Sequence, residues 1–316
     1  MRAKFVPVGG RKKIIFIVGP TAAGKSALGV GLAKKLSGEI VSCDSMQVYK
    51  GMRILSQTPA RAERRGVRHH LMGIVDPREE FSVAEYIKRA SGAIRSMIGG
   101  GKQPIVVGGT GLYMKALIDG LFPSPEADMA FRAKMERFGA RHGKARLYEK
   151  LMRLDPEAAA TIHPNDTRRV IRALEVIHST GKTMTEMKQK TRGLKDEYDI
   201  LIFGINSPRT KLYRAIDERA DRMFDEGIVK EVGRLSKKRI GRTASSAIGF
   251  AEISGYLKGE RSLEDAKELV KMNTRRFAKR QLCWFRADKR VKWLNAGRMT
   301  QAKIIKKIGT IWKERS

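Results

Sequence analysis

The chain has 316 residues, enough for one large or two modest domains, and a hydrophobic fraction of 41% allows a buried core. Its formal net charge is +32, from 65 Lys and Arg residues against 33 Asp and Glu. Such a surface attracts polyanions, so nucleic acid is the first candidate partner, with a general basic bias as the alternative. No apolar run approaches the roughly 20 residues that span a bilayer. The two cysteines, Cys43 and Cys283, show no metal-ligand spacing, and we expect a cytoplasmic protein.

The first chemical motif follows a continuous apolar run, Ile14 to Val18, which is typical of a strand buried on both faces. The motif matches G-x-x-x-x-G-K-[ST], and an amphipathic helix pattern comes after it. Its backbone N–H groups, Lys25 and the Ser26 hydroxyl predict a phosphate site with Mg²⁺ on Ser26. The predicted phosphate-binding residues are Gly19, Thr21, Ala22, Ala23, Gly24, Lys25 and Ser26.

Strand and helix signals continue to alternate along the first 120 residues. Residues 39–43 and 104–107 are predicted strands, and a capping box at 82–85 opens a helix between them. Alternation of this kind predicts an α/β fold with a parallel sheet of the P-loop NTPase type. Residues 122–197 are predicted to be an all-helical insertion. Residues 198–316 begin with a returning strand and continue as basic helices, with 29 Lys and Arg against 14 Asp and Glu.

The loop alone does not identify the reaction. An NTPase normally has a second strand ending in an Asp that helps to hold Mg²⁺. The strand at 104–107 ends instead in a Gly-Gly-Thr-Gly turn, and the strand at 39–43 ends in Asp44. A P-loop of this kind is compatible with a diphosphate that leaves intact, and a small-molecule kinase stays open as an alternative.

Seven segments, in order along the chain, make the sequence resemble the bacterial tRNA dimethylallyltransferases, also called tRNA isopentenyltransferases. The segments are GPTAAGKSAL (19–28), DSMQVYKGM (44–52), GVRHHLMGIVDPREEFSV (66–83), VVGGTGLYMKAL (106–117), HPNDTRRVIRALEV (163–176), AIGFAEI (247–253) and TRRFAKRQLCWFR (274–286). The resemblance implies transfer of a dimethylallyl group from its diphosphate to the N6 amine of the adenosine 3′ of the tRNA anticodon. It also implies a P-loop core, 1–121 and 198–316, with a helical insertion at 122–197 that grips the tRNA anticodon stem-loop. We expect a monomer that binds no membrane.

The resemblance assigns three residues to catalysis. Asp44 matches the catalytic acid of the family, which accepts the proton of the amine as the C–N bond forms. Thr110 matches a threonine that contacts the leaving diphosphate, and Arg219 matches an arginine that neutralises it. The alternatives are that Asp44 only caps a turn or binds Mg²⁺, that Thr110 is part of a strand-end turn, and that Arg219 is a surface residue of a helix at 210–226.

Contacts to tRNA are expected from three regions. Arg168 and Arg172 lie one helical turn apart, so they are predicted to share a basic face, with a solvated surface as the alternative. Around 274–286 basic residues alternate with aromatic ones, a pattern that suits RNA loops unless the aromatics belong to the core. The predicted tRNA-binding residues are Asp44, Ser45, Met46, Gln47, Arg168, Arg169, Arg172, Gly249, Arg275, Lys279 and Arg280.

The sequence departs from the family pattern at 53–59, at Ala215 and at Ala251, where contacts to substrate are in doubt. Besides the kinase, two alternatives remain. A non-catalytic RNA-binding protein would leave Asp44 and Thr110 without a role. A transferase acting on free adenine nucleotides would not need the insertion or the basic helices. The sequence does not assign the basic tail at 296–316.

Overall fold

The computed structural model describes residues 11–122, 125–189 and 191–314. The chain divides into two compact units. The core unit comprises Met1–Ile118 and Leu194–Ser316, and the insertion unit comprises Asp119–Gly193. The boundaries predicted from sequence for the insertion, 122–197, lie within a few residues of that unit.

A six-stranded parallel sheet, in the order β3-β2-β4-β1-β5-β6, forms the centre of the core unit and confirms the predicted α/β class. The strands are β1 (Lys13–Val18), β2 (Gly38–Cys43), β3 (His69–His70), β4 (Gln103–Gly108), β5 (Asp199–Asn206) and β6 (Lys292–Asn295). The side chains of β1 are buried throughout, as its apolar run predicts. The sequence did not indicate β3 and β6, because neither has an apolar run.

The helices flank the sheet and form the insertion. They are α1 (Lys25–Lys35), α2 (Arg61–Arg64), α3 (Val83–Gly99), α4 (Gly111–Asp119), α5 (Met129–His142), α6 (Lys144–Leu154), α7 (Pro156–Thr161), α8 (Thr167–Thr180), α9 (Met184–Gln189), α10 (Arg209–Asp225), α11 (Ile228–Ser236), α12 (Arg242–Ser245), α13 (Phe250–Leu257), α14 (Leu263–Arg286) and α15 (Gln301–Glu314). The insertion unit consists of α5 to α9, and a short 3-10 helix, Leu194–Asp196, precedes β5. No helix within the described ranges is long and apolar enough to cross a membrane.

The tail that the sequence left unassigned is part of the core unit. Helix α15 buries Ile304 and Ile308, and its Gln301 amide donates to the carbonyl of Ala27 in α1 at 2.8 Å. Near its end the indole of Trp312 donates to the side chain of Gln103 at 3.0 Å. These contacts join both ends of α15 to the sheet and α1.

A buried carboxylate organises the insertion unit. Glu175 of α8 is 0% exposed and accepts from the guanidinium of Arg132 at 2.9 Å and from the amide of Asp128 at 2.7 Å. Arg172 also bonds to Glu175, and it donates to the carbonyl of Pro125 at 3.0 Å. Burial alone would raise the pKa of Glu175, but the hydrogen bonds from the two arginines outweigh it and hold the pKa below its usual value.

The two arginines of the predicted basic face therefore differ in their surroundings, and a contact of that face with tRNA stays a prediction. Arg168 is exposed, whereas the Arg172 guanidinium turns towards the buried Glu175 carboxylate in the same helix. The buried Glu175 carboxylate attracts the Arg172 guanidinium, which lies three residues before it in α8. Sequence spacing alone does not show that Glu175 is buried.

We predict that Arg172→Ala lowers the local stability of α8 by about 3 kcal/mol, because a buried carboxylate loses one of its two cations. Arg168→Ala, the matched exposed control, should change it by less than about 0.5 kcal/mol. Hydrogen exchange of the α8 amides measures both. Equal exchange in the two variants would contradict this account.

The contribution of Glu175 to stability depends on pH. Because the folded pKa of Glu175 is depressed, this contribution is present above about pH 4.3, the unfolded value, and is lost as the pH falls through the folded value.

Candidate active site

The loop between β1 and α1 has the shape of an anion-binding nest. Gly19 has φ +140°, and a Cβ there would lie 2.4 Å from the carbonyl oxygen of Ile205 in β5. Ala22 and Gly24 also have positive φ, at 63° and 81°. Successive amides in such conformations, at the start of a helix, converge on a common point in front of the loop. The backbone therefore suits the phosphate group that the sequence predicts.

Two partly buried cations stand at this loop. Lys25 donates from Nζ to the carbonyl of Pro20 at 2.6 Å, and Arg219 of α10 donates to the Thr21 hydroxyl at 2.5 Å. Burial, with the nearby Arg219 charge, lowers the pKa of Lys25 to about 8. Burial likewise lowers the pKa of Arg219 to about 10. An anion bound in the nest would relieve the repulsion between these two charges.

Asp44 follows β2, and its negative charge favours the charged forms of Lys25 and Arg219. Its Oδ1 accepts from the amide of Met46 at 2.9 Å, a bond that fixes the side chain at the turn. Burial raises the pKa of Asp44, while the Met46 amide, Lys25 and Arg219 favour the charged form. The result is a carboxylate that is a stronger base than an exposed aspartate.

Thr110 joins the end of β4 to the end of β2. Its amide donates to the carbonyl of Cys43 at 3.1 Å, and its hydroxyl accepts from the amide of Ser45 at 3.1 Å. Ligands of open parallel sheets lie beyond the carboxyl ends of the strands, and Thr110, Asp44 and the loop all follow such ends. The structure thus places the residues predicted for catalysis and for phosphate binding along one edge of the sheet.

Gln281 of α14 is a residue of this edge that sequence reasoning missed. Its side chain is 6% exposed and bonds to both the amide of Thr21 and the carbonyl of Gly109. Its position inside a segment singled out for basic and aromatic residues is the one sequence signal that points to it.

The residues after Asp44 are partly exposed, and one of them, Gln47, forms hydrogen bonds within the core unit. Ser45, Met46 and Gln47 have intermediate exposure. The Gln47 amide accepts from the Ser42 hydroxyl at 2.8 Å and donates to the carbonyl of Gln57 at 3.3 Å. Both ends of that amide have partners within the core unit, so an RNA contact by Gln47 would use its remaining hydrogen-bonding capacity.

The residues predicted in α14 are not equivalent to one another. Lys279 and Arg280 are exposed, with the Arg280 guanidinium 5.8 Å from the centre of the Phe277 ring. Arg275 forms an ion pair with Asp217 of α10 at 2.5 Å. Phe285 is fully buried, so the interpretation of this segment as a row of RNA-stacking aromatics is wrong for Phe285, which the hydrophobic core takes up.

Two other predicted tRNA-binding residues have structural partners. Gly249 is buried with φ +103°, and its amide donates to the buried Glu252 at 2.8 Å. A direct RNA contact at Gly249 therefore conflicts with its burial. In the insertion unit, Arg169 forms an ion pair with Asp166 at 3.2 Å across the first turn of α8.

The segment at 53–59, which departs from the family pattern, is bound by side chains of the core unit. Buried Glu231 of α11 accepts from the amides of Ile54 and Leu55 at 3.1 and 2.8 Å. Arg53 lies 3.5 Å from Glu226. These contacts account for the local structure of the segment.

Metal-ligand chemistry around the loop is sparse. Within the part of the chain that the structure describes, no group of three or more His, Cys, Asp or Glu side chains is placed to hold a metal ion. Ser26, at the start of α1, is exposed and offers one hydroxyl oxygen. A cation at this edge would therefore take most of its ligands from water or from a bound phosphate.

The chain is similar to known proteins of one family. The IPP transferase family model matches residues 47–288. The tRNA dimethylallyltransferase of Geobacter sulfurreducens is 48% identical, over 90% of this chain and 93% of that protein. That of Carboxydothermus hydrogenoformans is 46% identical, over 95% of this chain and 97% of its own length.

Solved structures give the same result. The crystal structure of the tRNA isopentenylpyrophosphate transferase from Bacillus halodurans superposes with a TM-score of 0.72 at 40% identity, covering 97% of each chain. A eukaryotic dimethylallyltransferase acting on tRNA superposes with a TM-score of 0.75 at 32% identity, covering 95% of this chain and 78% of that one. With the P-loop, Asp44 and Thr110 in place at one edge of the sheet, the chain belongs to the IPP transferase family, the family of tRNA prenyl-transferring enzymes.

Proposed function

We propose that the chain transfers a dimethylallyl group from dimethylallyl diphosphate to the N6 amine of the adenosine 3′ of the anticodon in tRNA. The observation that carries this proposal is the placement of one basic carboxylate, Asp44, within the electrostatic reach of two desolvated cations, Lys25 and Arg219. The cations suit the diphosphate and the carboxylate suits the amine. A site that must hold both partners of an alkyl transfer needs such a pairing.

The proposed reaction is a displacement at C1 of the dimethylallyl group. The N6 lone pair forms the new N–C bond as the C1–O bond to diphosphate breaks, and the electron pair of that bond leaves with the diphosphate. The N6 proton passes to the Asp44 carboxylate. An aromatic amine is a weak nucleophile until its proton is being accepted, so a raised pKa at Asp44 favours the step.

The diphosphate leaving group is proposed to bind in the loop between β1 and α1. We propose that the loop amides, Lys25 and Arg219 bind the diphosphate oxygens, with Thr21 orienting Arg219 through their hydrogen bond. Charge on the departing diphosphate increases in the transition state, so cations fixed beforehand in a desolvated site stabilise that state more than the ground state. Thr110 is proposed to contact the same group from the β4 turn.

We propose Mg²⁺ as the cofactor of this site. Mg²⁺ prefers oxygen ligands and usually keeps several waters while bridging substrate phosphates, which fits a site with one exposed hydroxyl, that of Ser26. Bound there, the ion would neutralise part of the diphosphate charge. The Ser26 hydroxyl is the candidate to face it.

The tRNA is proposed to contact the exposed cations of both units. Lys279 and Arg280 on α14 and Arg168 on α8 are exposed, and phosphate neutralisation by such residues drives RNA binding. Arg275 and Arg172, which have carboxylate partners, are proposed to support these elements. We propose that the enzyme works as a monomer in the cytoplasm, where unmodified tRNA is available.

Two other activities fit the same fold less well. A kinase would need a Mg²⁺-binding acid at the end of β4, where Gly108 and Gly109 stand instead. A transferase for free adenine nucleotides leaves the basic surface of α14 without a use. Both alternatives are outcomes of the experiment below.

The direct test is incubation with labelled dimethylallyl diphosphate and either unmodified tRNA or AMP, followed by nucleoside analysis. We predict label on N6 of the adenosine next to the anticodon, no label in AMP, and a rate at limiting tRNA that falls as salt rises. Labelled AMP would assign the protein to the nucleotide-prenylating class. Hydrolysis of ATP stimulated by tRNA, without transfer, would assign it to the NTPases.

The pH dependence of kcat/KM for the diphosphate gives a second prediction. Because burial lowers the pKa of Lys25 to about 8 in the free enzyme, the cation is present below that pH and is lost as the pH rises through it. We therefore expect kcat/KM to fall above pH 8. In Lys25→Arg, whose guanidinium stays charged, the fall should move to higher pH when each profile is scaled to its own maximum. The substrate ionises identically in both assays, so an unchanged alkaline limb would show that Lys25 is not the titrating group.

A further inference from the structure

One side chain connects the two turns of the candidate active site. Gln281 accepts from the Thr21 amide at its Oε1, at 2.8 Å, and donates from its Nε2 to the Gly109 carbonyl at 2.9 Å. Thr21 belongs to the loop after β1, and Gly109 to the turn after β4. The two turns are neighbours in space because β1 and β4 are paired. One amide from α14 therefore bridges the two turns beyond the end of the strand pairing.

The turn after β4 is shaped around α14. A Cβ on Gly109 would lie 2.1 Å from the Gln281 Nε2, and a Cβ on Gly111 would lie 2.1 Å from the Trp284 ring. The two glycines that flank Thr110 thus leave room for two residues of one helix. This close approach explains the glycines of the Gly-Gly-Thr-Gly turn without a ligand.

The amide group is what the position requires. The site needs an acceptor for Thr21 and a donor for Gly109 at once, on one planar group that is almost completely buried. A carboxylate lacks the donor, and a methionine lacks both. Removing either bond leaves a buried backbone group of the active-site turns without a partner.

The same two turns carry reacting groups. Thr21 bonds through its hydroxyl to Arg219, and Thr110, directly after Gly109, bonds to the amide next to Asp44. We propose that Gln281 is a positioning residue, which sets the diphosphate loop against the turn of Thr110 so that leaving group and base face each other. This inference rests on the proposed function and assigns no contact between Gln281 and substrate.

The test compares Gln281→Met and Gln281→Glu with a matched control, Gln301→Met. Gln301 makes a bond of the same kind, 2.8 Å long, from the last helix to the Ala27 carbonyl, outside the turns. We expect Gln281→Met to lower kcat/KM for dimethylallyl diphosphate by about 10²-fold, as misplacement of reacting groups does. Its affinity for inorganic diphosphate should fall about tenfold, and its affinity for tRNA should change by less than about twofold. Gln301→Met should leave all three unchanged.

Gln281→Glu separates positioning from general loss of stability. The new carboxylate still accepts from Thr21, but it faces the Gly109 carbonyl as a second acceptor until it is protonated and regains a donor. We therefore expect the activity of Gln281→Glu, divided by that of the unchanged protein at each pH, to rise as the pH falls. The same ratio for Gln281→Met should stay flat. Thermal melting of every variant accompanies the assays.

The outcomes divide cleanly. Diphosphate binding and transfer equal to those of Gln301→Met would overturn the positioning role. So would equal losses of tRNA and diphosphate affinity with a lowered melting temperature, since these indicate general destabilisation. If the unchanged protein transfers nothing to tRNA, the proposed function fails. The diphosphate-binding comparison then still decides whether Gln281 orders the loop.

Discussion

The attraction between Asp44 and the cations Lys25 and Arg219 takes place in a part of the core unit where burial disfavours every one of these charges. Burial raises the pKa of the carboxyl and lowers the pKa of both cations, while the Asp44 charge favours the charged form of each cation and both cations favour the charged form of Asp44. Under the proposed function, the diphosphate and the amine that needs a base are the partners that would suit this arrangement. The remaining features of the core unit serve to hold the three groups in one place.

Neighbouring strands of the sheet approach one another closely at the ends that carry the loop, Asp44 and Thr110. A Cβ on Gly19 would collide with β5, and one on Gly108 would lie 2.0 Å from the Cys43 carbonyl of β2. At these two positions the backbones approach so closely that only glycine, which has no Cβ, leaves enough room. Strands β1, β2 and β4 therefore reach the loop, Asp44 and Thr110 in close contact with their neighbours. Helix α14 completes the edge through Gln281. The same helix carries the exposed cations Lys279 and Arg280, which are proposed to contact tRNA, so that proposed surface and Gln281 belong to one helix.

Local patterns in the sequence predicted much of this structure. The apolar run at 14–18 and the capping box at 82–85 identify β1 and α3, because both depend on neighbouring residues alone. Strand β6 depends on pairing with β5, and its Lys-Trp-Leu-Asn sequence has no strand signal. The ion pair of Arg172 was not predicted, because helical spacing does not reveal a buried Glu175. Gln281 escaped notice because its partners lie 260 and 172 residues away in the chain.

The most direct measurement of the central claim is single-turnover transfer by Asp44→Asn, with tRNA and diphosphate affinities measured across a Mg²⁺ series. If Asp44 is the base, the account predicts a loss of about 10²–10⁴-fold in the transfer rate, roughly 3–5 kcal/mol of barrier, at nearly unchanged affinities. A fall in diphosphate affinity that added Mg²⁺ restores would identify Asp44 as a metal ligand instead. Transfer at the rate of the unchanged protein would contradict the account outright.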